Sequence, residues 1–157
     1  MLKINRKISV TISLVLTALA LCGVVAMAFF IPSLIEYMLE ILGSGGAKLE
    51  LLPAERITVY IAAYAELLLA AAGLGMLFAL LLLVRKGRVF THTAVELIRY
   101  ISWCIIFMGF IIIAVTFSKV LAMAVGAAVL FVGLTIRVVK NVIEEAVYIK
   151  EENDLTV

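Results

Sequence analysis

The stretch from Tyr100 to Ile136, YISWCIIFMGFIIIAVTFSKVLAMAVGAAVLFVGLTI, contains a single charged residue, Lys119. On either side of the Ser118-Lys119 dipeptide lies an apolar run of about the 17 to 25 residues that a helix needs to cross a bilayer. Neither run alternates apolar and polar residues, as a strand of a membrane barrel would. The stretch therefore predicts two transmembrane helices that are joined by a short turn and form an antiparallel hairpin.

Two further uncharged runs, Ile8–Ile35 and Leu67–Val84, precede this hairpin. The whole chain has 157 residues, 66% of them hydrophobic and 15% charged, with a mean hydropathy of +1.24. A soluble domain is about half apolar and a quarter charged, so that class is excluded. We predict an all-α, integral membrane four-helix bundle. Its single transmembrane domain covers residues 1–157, with helices at about 8–31, 57–84, 97–117 and 120–139.

The first run has one competing interpretation, a cleaved signal peptide. Basic residues precede the run, and Ala26-Met27-Ala28 has the pattern of a cleavage site. The run from Ile8 is longer than the apolar core of an ordinary signal peptide, so we expect a retained helix.

Basic residues near the helix ends predict the orientation, because cytoplasmic flanks carry the excess of Lys and Arg. Only Lys48, Arg56 and Lys119 lie on one side of the predicted membrane. The other side has Lys3, Arg6, Lys7, Arg85, Lys86, Arg88, Arg99, Arg137, Lys140 and Lys150. We therefore expect both termini in the cytoplasm and the protein in the cytoplasmic (inner) membrane. Topology and contact with anionic lipid account for the basic cluster of residues 85–88.

Capping patterns predict two further helix starts. Ser33-Leu34-Ile35-Glu36 is a capping box, so we expect a short amphipathic helix to begin in the outer loop, residues 32–56, and to end at Gly43. Thr93-Ala94-Val95-Glu96 is a second capping box and predicts the start of the third helix. The outer acids, Glu36, Glu40, Glu50 and Glu55, follow no calcium-loop spacing and are expected to be solvated. The only histidine, His92, is expected to be a solvated loop residue.

The C-terminal segment is amphipathic and acidic. We expect the fourth helix to extend into the cytoplasm as a tail, residues 140–157, with one apolar side. Its acids form a candidate partner-binding surface: Glu144, Glu145, Glu151, Glu152 and Asp154. The alternative is a solvated helix end that only keeps the chain soluble.

Glu66 is the one ionisable residue embedded in a predicted crossing, and it is therefore a candidate intramembrane polar site. Tyr60 and Tyr64 lie nearby and are typical of an aromatic belt at the membrane surface. If Val84 marks the inner boundary, Glu66 lies at the outer interface. An ion or proton site is the alternative.

The sequence predicts no catalytic site, cofactor or metal. It contains no Gly-Lys-Ser/Thr phosphate loop, His-Glu-x-x-His zinc site or Gly-x-Ser-x-Gly elbow. The net charge of +2 is too balanced to indicate direct nucleic-acid binding. Small residues recur four apart in three helices and predict close-packing seams, within one chain or in a homo-oligomer. They are Ala18, Cys22 and Ala26; Ala71, Gly75 and Ala79; and Ala122 and Gly126.

Three passages together resemble a known family: Arg88-Val89-Phe90-Thr91, the fourth helix with Gly126 and Gly133, and the ending from Glu151 to Val157. They resemble the bacterial membrane-protein family catalogued as domain of unknown function 2975, DUF2975. The resemblance implies a small four-helix protein of the cytoplasmic membrane, often encoded beside a small helix-turn-helix regulator. It implies no enzymatic activity and no ligand site.

Two functional hypotheses follow. The first is a membrane-anchored interaction protein whose acidic tail binds a cytoplasmic protein. The resemblance implies a basic helix-turn-helix regulator as that partner. The second is a small transporter or channel that uses Glu66. A transporter usually has a second buried charge, a broken helix or an internal repeat, and the sequence shows none of these features.

The predicted topology can be tested with reporter fusions. Reporter fusions at Arg88 and at Val157 should both report a cytoplasmic position, and a fusion at Gly45 should report the opposite side. A cytoplasmic signal from Gly45 would contradict the predicted four crossings.

Overall fold

The computed structural model describes residues 6–44, 53–115 and 120–155, and these residues form four helices. The helices are α1 (Arg6–Ser44), α2 (Pro53–Arg85), α3 (His92–Val115) and α4 (Val120–Leu155). All four are long and apolar enough to cross a membrane. The described ranges contain no strand. The prediction of an all-helical chain with four candidate transmembrane helices is confirmed.

The helices differ in how far they exceed the thickness of a bilayer. They contain 39, 33, 24 and 36 residues in chain order. At 1.5 Å per residue these lengths are about 58, 50, 36 and 54 Å, against a hydrocarbon core of about 30 Å. Only α3 matches the core closely. The other three helices therefore extend beyond it.

The structure contradicts the prediction of a separate outer helix. Residues 33–44 form the end of α1, which continues through Pro32 without a break. Pro32 removes one backbone hydrogen bond, whereas a break at this position would leave several backbone groups without partners in an apolar environment. Beyond Pro32, Glu36 accepts a hydrogen bond at 3.5 Å from Arg56 near the start of α2. Glu50 lies outside the described residues.

Hydrogen bonds define the two helix ends on either side of the α2–α3 turn. The Gly87 N–H donates to Val84 O and the Arg88 N–H to Leu83 O, which is the Schellman arrangement. It requires a left-handed residue, and Gly87 has a φ of 74°. At the start of α3, Thr91 is the cap, because its Oγ1 accepts from the Ala94 N–H at 3.3 Å. The predicted cap at Thr93 is thus two residues too late, since Thr93 is already helical.

Each helix packs only against its neighbours in sequence. Among the described residues, α1 contacts α2, α2 contacts α3, and α3 contacts α4, with no contact between other helix pairs. The four described helices therefore form an open row, and the predicted bundle arrangement is not confirmed. Lipid tails are as apolar as the outward-facing side chains, so no solvent force closes the row.

The α3 helix packs against both α2 and α4, and its described length contains more buried residues than that of any other helix. Its buried residues are Ala94, Val95, Ile98, Ile101, Ser102, Ile106 and Gly109. By contrast, α2 has no buried residue in its described length. The core of the molecule is the set of contacts that α3 makes, above all those with α4.

Three glycines bring the backbones of α3 and α4 together. A Cβ atom on Gly109 would lie 2.8 Å from the backbone nitrogen of Leu130, and one on Gly126 would lie 3.1 Å from the carbonyl oxygen of Gly109. A Cβ on Gly133 would lie 3.1 Å from the backbone nitrogen of Ile106. The side of α4 that faces α3 repeats every seven residues, and its four positions are buried: Gly126, Gly133, Lys140 and Val147. This repeat is typical of left-handed helix pairs.

The other predicted seams are not close contacts within the chain. In α1, Cys22 and Ala26 are exposed or partly exposed. A Cβ atom on Gly75 of α2 would meet no atom within 4 Å. The seam at Gly126 is therefore the one that brings two backbones together in the described structure, and its spacing is seven residues and not four.

The close approach can be tested by adding one methyl group. We expect Gly109→Ala to lower the free energy of unfolding by about 1–3 kcal/mol, because the new Cβ collides with the backbone of α4. Gly75→Ala is the matched control and should leave stability unchanged or slightly raise it, since that site is open. Denaturation in detergent micelles followed by circular dichroism measures both. Equal effects at the two sites would contradict the role of the glycine contacts.

Candidate interaction site at the charged end of α3 and α4

Charged residues of α3 and α4 meet at the end where α3 begins. Arg99 Nη2 donates to Glu144 Oε1 at 3.0 Å, and His92 Nε2 lies 2.9 Å from Glu151 Oε1. The two residues of α3 are seven apart, and so are the two acids of α4. Each pair thus joins equivalent positions on an antiparallel helix pair whose contacts repeat every seven residues.

Lys140 completes this network from inside the helix interface. It occupies the next seven-residue position after Gly133, and its exposed fraction is only 9%. Its Nζ forms an ion pair with Glu144 Oε2 and donates to Asn141 Oδ1 at 3.1 Å. Glu144 therefore binds two cations, one from each helix. A buried charge in this position has a high desolvation cost unless it is paired. The pairing therefore favours the one register of α3 and α4 that brings Lys140 to its carboxylate.

Arg137 lies one turn before Lys140, and its guanidinium carbon is 4.5 Å from the centre of the Trp103 ring. Trp103 in turn stacks on Phe107, with 5.7 Å between ring centres. One guanidinium nitrogen, Nη1, is buried and has no hydrogen-bond partner among the described residues. The aromatic ring, and not a carboxylate, is the favourable contact of this cation.

The structure divides the five predicted tail acids into groups. Glu144 and Glu151 pair with residues of α3, so they belong to the α3–α4 interface. Glu145 and Glu152 are exposed. The side chain of Asp154 lies outside the described part of the structure.

The predicted apolar side of the tail is divided in the same way. Val147 is 2% exposed and lies on the side of α4 that faces α3. Val142 and Ile149 are 65% and 50% exposed. The predicted apolar side of the tail is therefore divided into two surfaces. Val147 belongs to the one packed against α3, and Val142 and Ile149 belong to the exposed one.

An open depression of about 340 Å³ lies where the α2–α3 turn approaches this part of α4. Its lining residues are Phe90, Ala146, Ile149, Lys150 and Asn153. Phe90 is 50% exposed and contributes an aromatic face from the turn. The depression thus combines apolar and cationic groups at the charged end of the molecule.

The second predicted site, around Glu66, lies on α2 and is separate from the charged end of α3 and α4. Glu66 is partly exposed, and its Oε1 is buried without a hydrogen-bond partner in the described structure. Glu66 lies seven residues before Gly73, where a Cβ would be 3.8 Å from Cys104 of α3, and so occupies the same side of α2. Tyr60 is partly exposed and Tyr64 is exposed. No hydrogen bond described here joins either tyrosine to Glu66.

A family model described as "Protein of unknown function (DUF2975)" matches residues 6–157. The chain belongs to the DUF2975 family. The resemblance drawn from the sequence is thereby confirmed over essentially the whole chain. No curated protein and no solved structure matches the chain.

In this DUF2975 protein, sequence reasoning missed the α3 residues that bind the tail. His92 was expected to be solvated, and Arg99 was counted only as a topological charge. A signal was present, because the interval between His92 and Arg99 equals that between Glu144 and Glu151. Two equal intervals, one between basic residues of one helix and one between acids of the next, indicate facing pairs in an antiparallel hairpin.

The ion network of the DUF2975 protein can be tested against a neighbouring acid. We expect Glu144→Gln to lower the stability of the folded protein, because it leaves the buried Lys140 without its carboxylate. Glu145→Gln is the matched control and should have little effect, since Glu145 lies outside the network with Arg99 and Lys140. Adding Lys140→Met to Glu144→Gln should recover stability. Unfolding in detergent measures the stability of each variant. A loss of stability in Glu144→Gln that Lys140→Met does not reverse would show that the unpaired Lys140 is not its cause.

Proposed function

We propose that this DUF2975 protein is a non-enzymatic, multi-pass protein of the bacterial cytoplasmic membrane that anchors or regulates a cytoplasmic protein. Both termini lie in the cytoplasm, as the distribution of Lys and Arg indicates. The partner binds the C-terminal part of α4 beyond its uncharged segment. One observation carries this proposal: the end of α4 is held against α3 while a mixed acidic and apolar surface remains exposed.

The length and anchoring of α4 support a projecting, rigid binding element. From Arg137 to Leu155 the helix extends about 28 Å beyond its uncharged segment. The pairs Arg99–Glu144 and His92–Glu151 hold this extension to α3. The hydrogen bond from Lys140 holds the pKa of Glu144 below its usual range. The contacts of the Glu144 carboxylate with Lys140 and Arg99 therefore persist at neutral pH and are lost only in acid. A rigid surface binds with a smaller entropy cost than a disordered tail.

The exposed surface of the extension has a regular composition. Val142, Glu145, Ile149 and Glu152 follow one another at spacings of three and four, so they share one side of α4. Apolar and acidic residues alternate along this side. Acidic groups accelerate encounter with a basic protein, and the apolar groups slow dissociation. A small helix-turn-helix regulator has the required basic surface, and the family resemblance supports this choice of partner.

A second candidate function is a small transporter or channel centred on Glu66. It is favoured by the buried Oε1 of Glu66, which has no hydrogen-bond partner among the described residues. An acidic group in the centre of a bilayer costs at least about 2.5 to 3.5 kcal/mol, so such a group is often retained for ion or proton movement. Tyr60 and Tyr64 precede it on α2 and would lie along the route to the outer surface.

The two functions are separated by two matched variants. If the extension binds a basic protein, the double variant Glu145→Gln, Glu152→Gln should reduce the amount of partner that co-purifies in detergent by about tenfold. A chain ending at Asn141 should recover none. Glu96→Gln, an exposed acid on α3, is the control and should retain the partner. Glu66→Gln should also retain it.

The transporter hypothesis predicts the reverse result. Glu66→Gln should then abolish function, whereas a chain ending at Asn141 should keep it. If the intact protein and the chain ending at Asn141 recover the same cytoplasmic proteins in equal amounts, the anchoring function is excluded.

A further inference from the structure

The end of α2 and the turn after it carry three cations within four residues. Arg85, Lys86 and Arg88 are exposed, and none forms an ion pair with any residue in the described ranges. Two acids of α4 at this end of the molecule are already bound, Glu144 by Arg99 and Lys140, and Glu151 by His92. The turn therefore presents positive charge to a ligand from outside the chain.

The backbone fixes this turn in one shape. Gly87 is in the left-handed conformation, and the two backbone hydrogen bonds that close α2 bracket it. Thr91 then caps α3 three residues after Arg88. The cations are thus held in a defined turn between two helices, so binding an anion requires little ordering of the backbone.

An apolar group stands directly beside the cations. Phe90 is 50% exposed although it belongs to a short polar turn, and it lines the depression of about 340 Å³ beside α4. Positive charge alone would satisfy the rules of membrane topology, which assign no role to an exposed Phe ring.

We propose that Arg85, Lys86 and Arg88 bind the phosphate group of an anionic phospholipid, while the exposed ring of Phe90 contacts its glycerol backbone. The turn connects two helices that are each long and apolar enough to cross the membrane, so it lies within reach of the headgroups of one leaflet. A lipid matches both parts of the surface, whereas a soluble anion matches only the cations. The inference is independent of the anchoring function proposed above.

Native mass spectrometry of the full-length protein in a neutral detergent tests this site directly. Phosphatidylglycerol is the probe and phosphatidylcholine is the zwitterionic control. We expect the intact protein to retain phosphatidylglycerol preferentially. The triple variant Arg85→Gln, Lys86→Gln, Arg88→Gln should weaken that binding by about tenfold or more and leave phosphatidylcholine binding unchanged. Phe90→Ala should weaken the binding of both lipids by a factor of about two or more.

Two control variants separate the charge of the turn from its position and from the fold. Arg56→Gln removes an exposed cation near the start of α2, at the other end of that helix, and should not change binding. The charge-conserving variant Arg85→Lys, Arg88→Lys should bind phosphatidylglycerol nearly as well as the intact protein, which distinguishes loss of charge from loss of fold.

Three results would overturn the proposal. The first is equal phosphatidylglycerol binding by the intact protein and the triple variant. The second is loss of binding in the charge-conserving variant, which would mean that charge is not the cause. The third is displacement of the lipid by an equal concentration of inorganic phosphate or glycerol phosphate, which would identify a site for soluble anions.

Discussion

The close approach of α3 and α4 at Gly109, Gly126 and Gly133 is the contact on which the rest of the molecule depends. In lipid, apolar side chains gain nothing by leaving solvent, so two helices associate through van der Waals contact and polar bonds. Such contact is strong only where the backbones come close. Glycines on both helices provide that closeness, and a single added methyl group would meet backbone atoms of the partner helix.

The same contact determines the chemistry of the charged end. The seven-residue repeat that buries Gly126 and Gly133 continues to Lys140 and Val147. With the glycines in register, Arg99 and His92 of α3 reach the two acids of α4, Glu144 and Glu151. A shift of one residue along α4 would rotate its charged residues by about 100° and separate these pairs. Packing among apolar residues at the glycines and pairing among ionisable residues at the charged end are thus two parts of one register.

Features that belong to a single helix were predictable, and features that depend on a second helix were not. The four long apolar runs predicted four helices. The expected helix start at Ser33 was wrong, because local capping preferences were outweighed by the cost of breaking a helix in an apolar environment. The acids of the tail were recognised as a group, but only the position of α3 shows that Glu144 and Glu151 are bound within the chain. That position also brought Arg99 and His92 into the site.

The open row of helices has a consequence for how the molecule comes apart. Because each helix contacts only its neighbours in sequence, the total stability is close to a sum of three separate interfaces, as in a one-dimensional repeat array. In such a chain, the loss of one interface does not require the loss of the others. The weakest interface can open while the others stay intact, so α1 is able to separate from α2 without disturbing the hairpin of α3 and α4. Cooperativity in this protein therefore belongs to helix pairs and not to the whole domain.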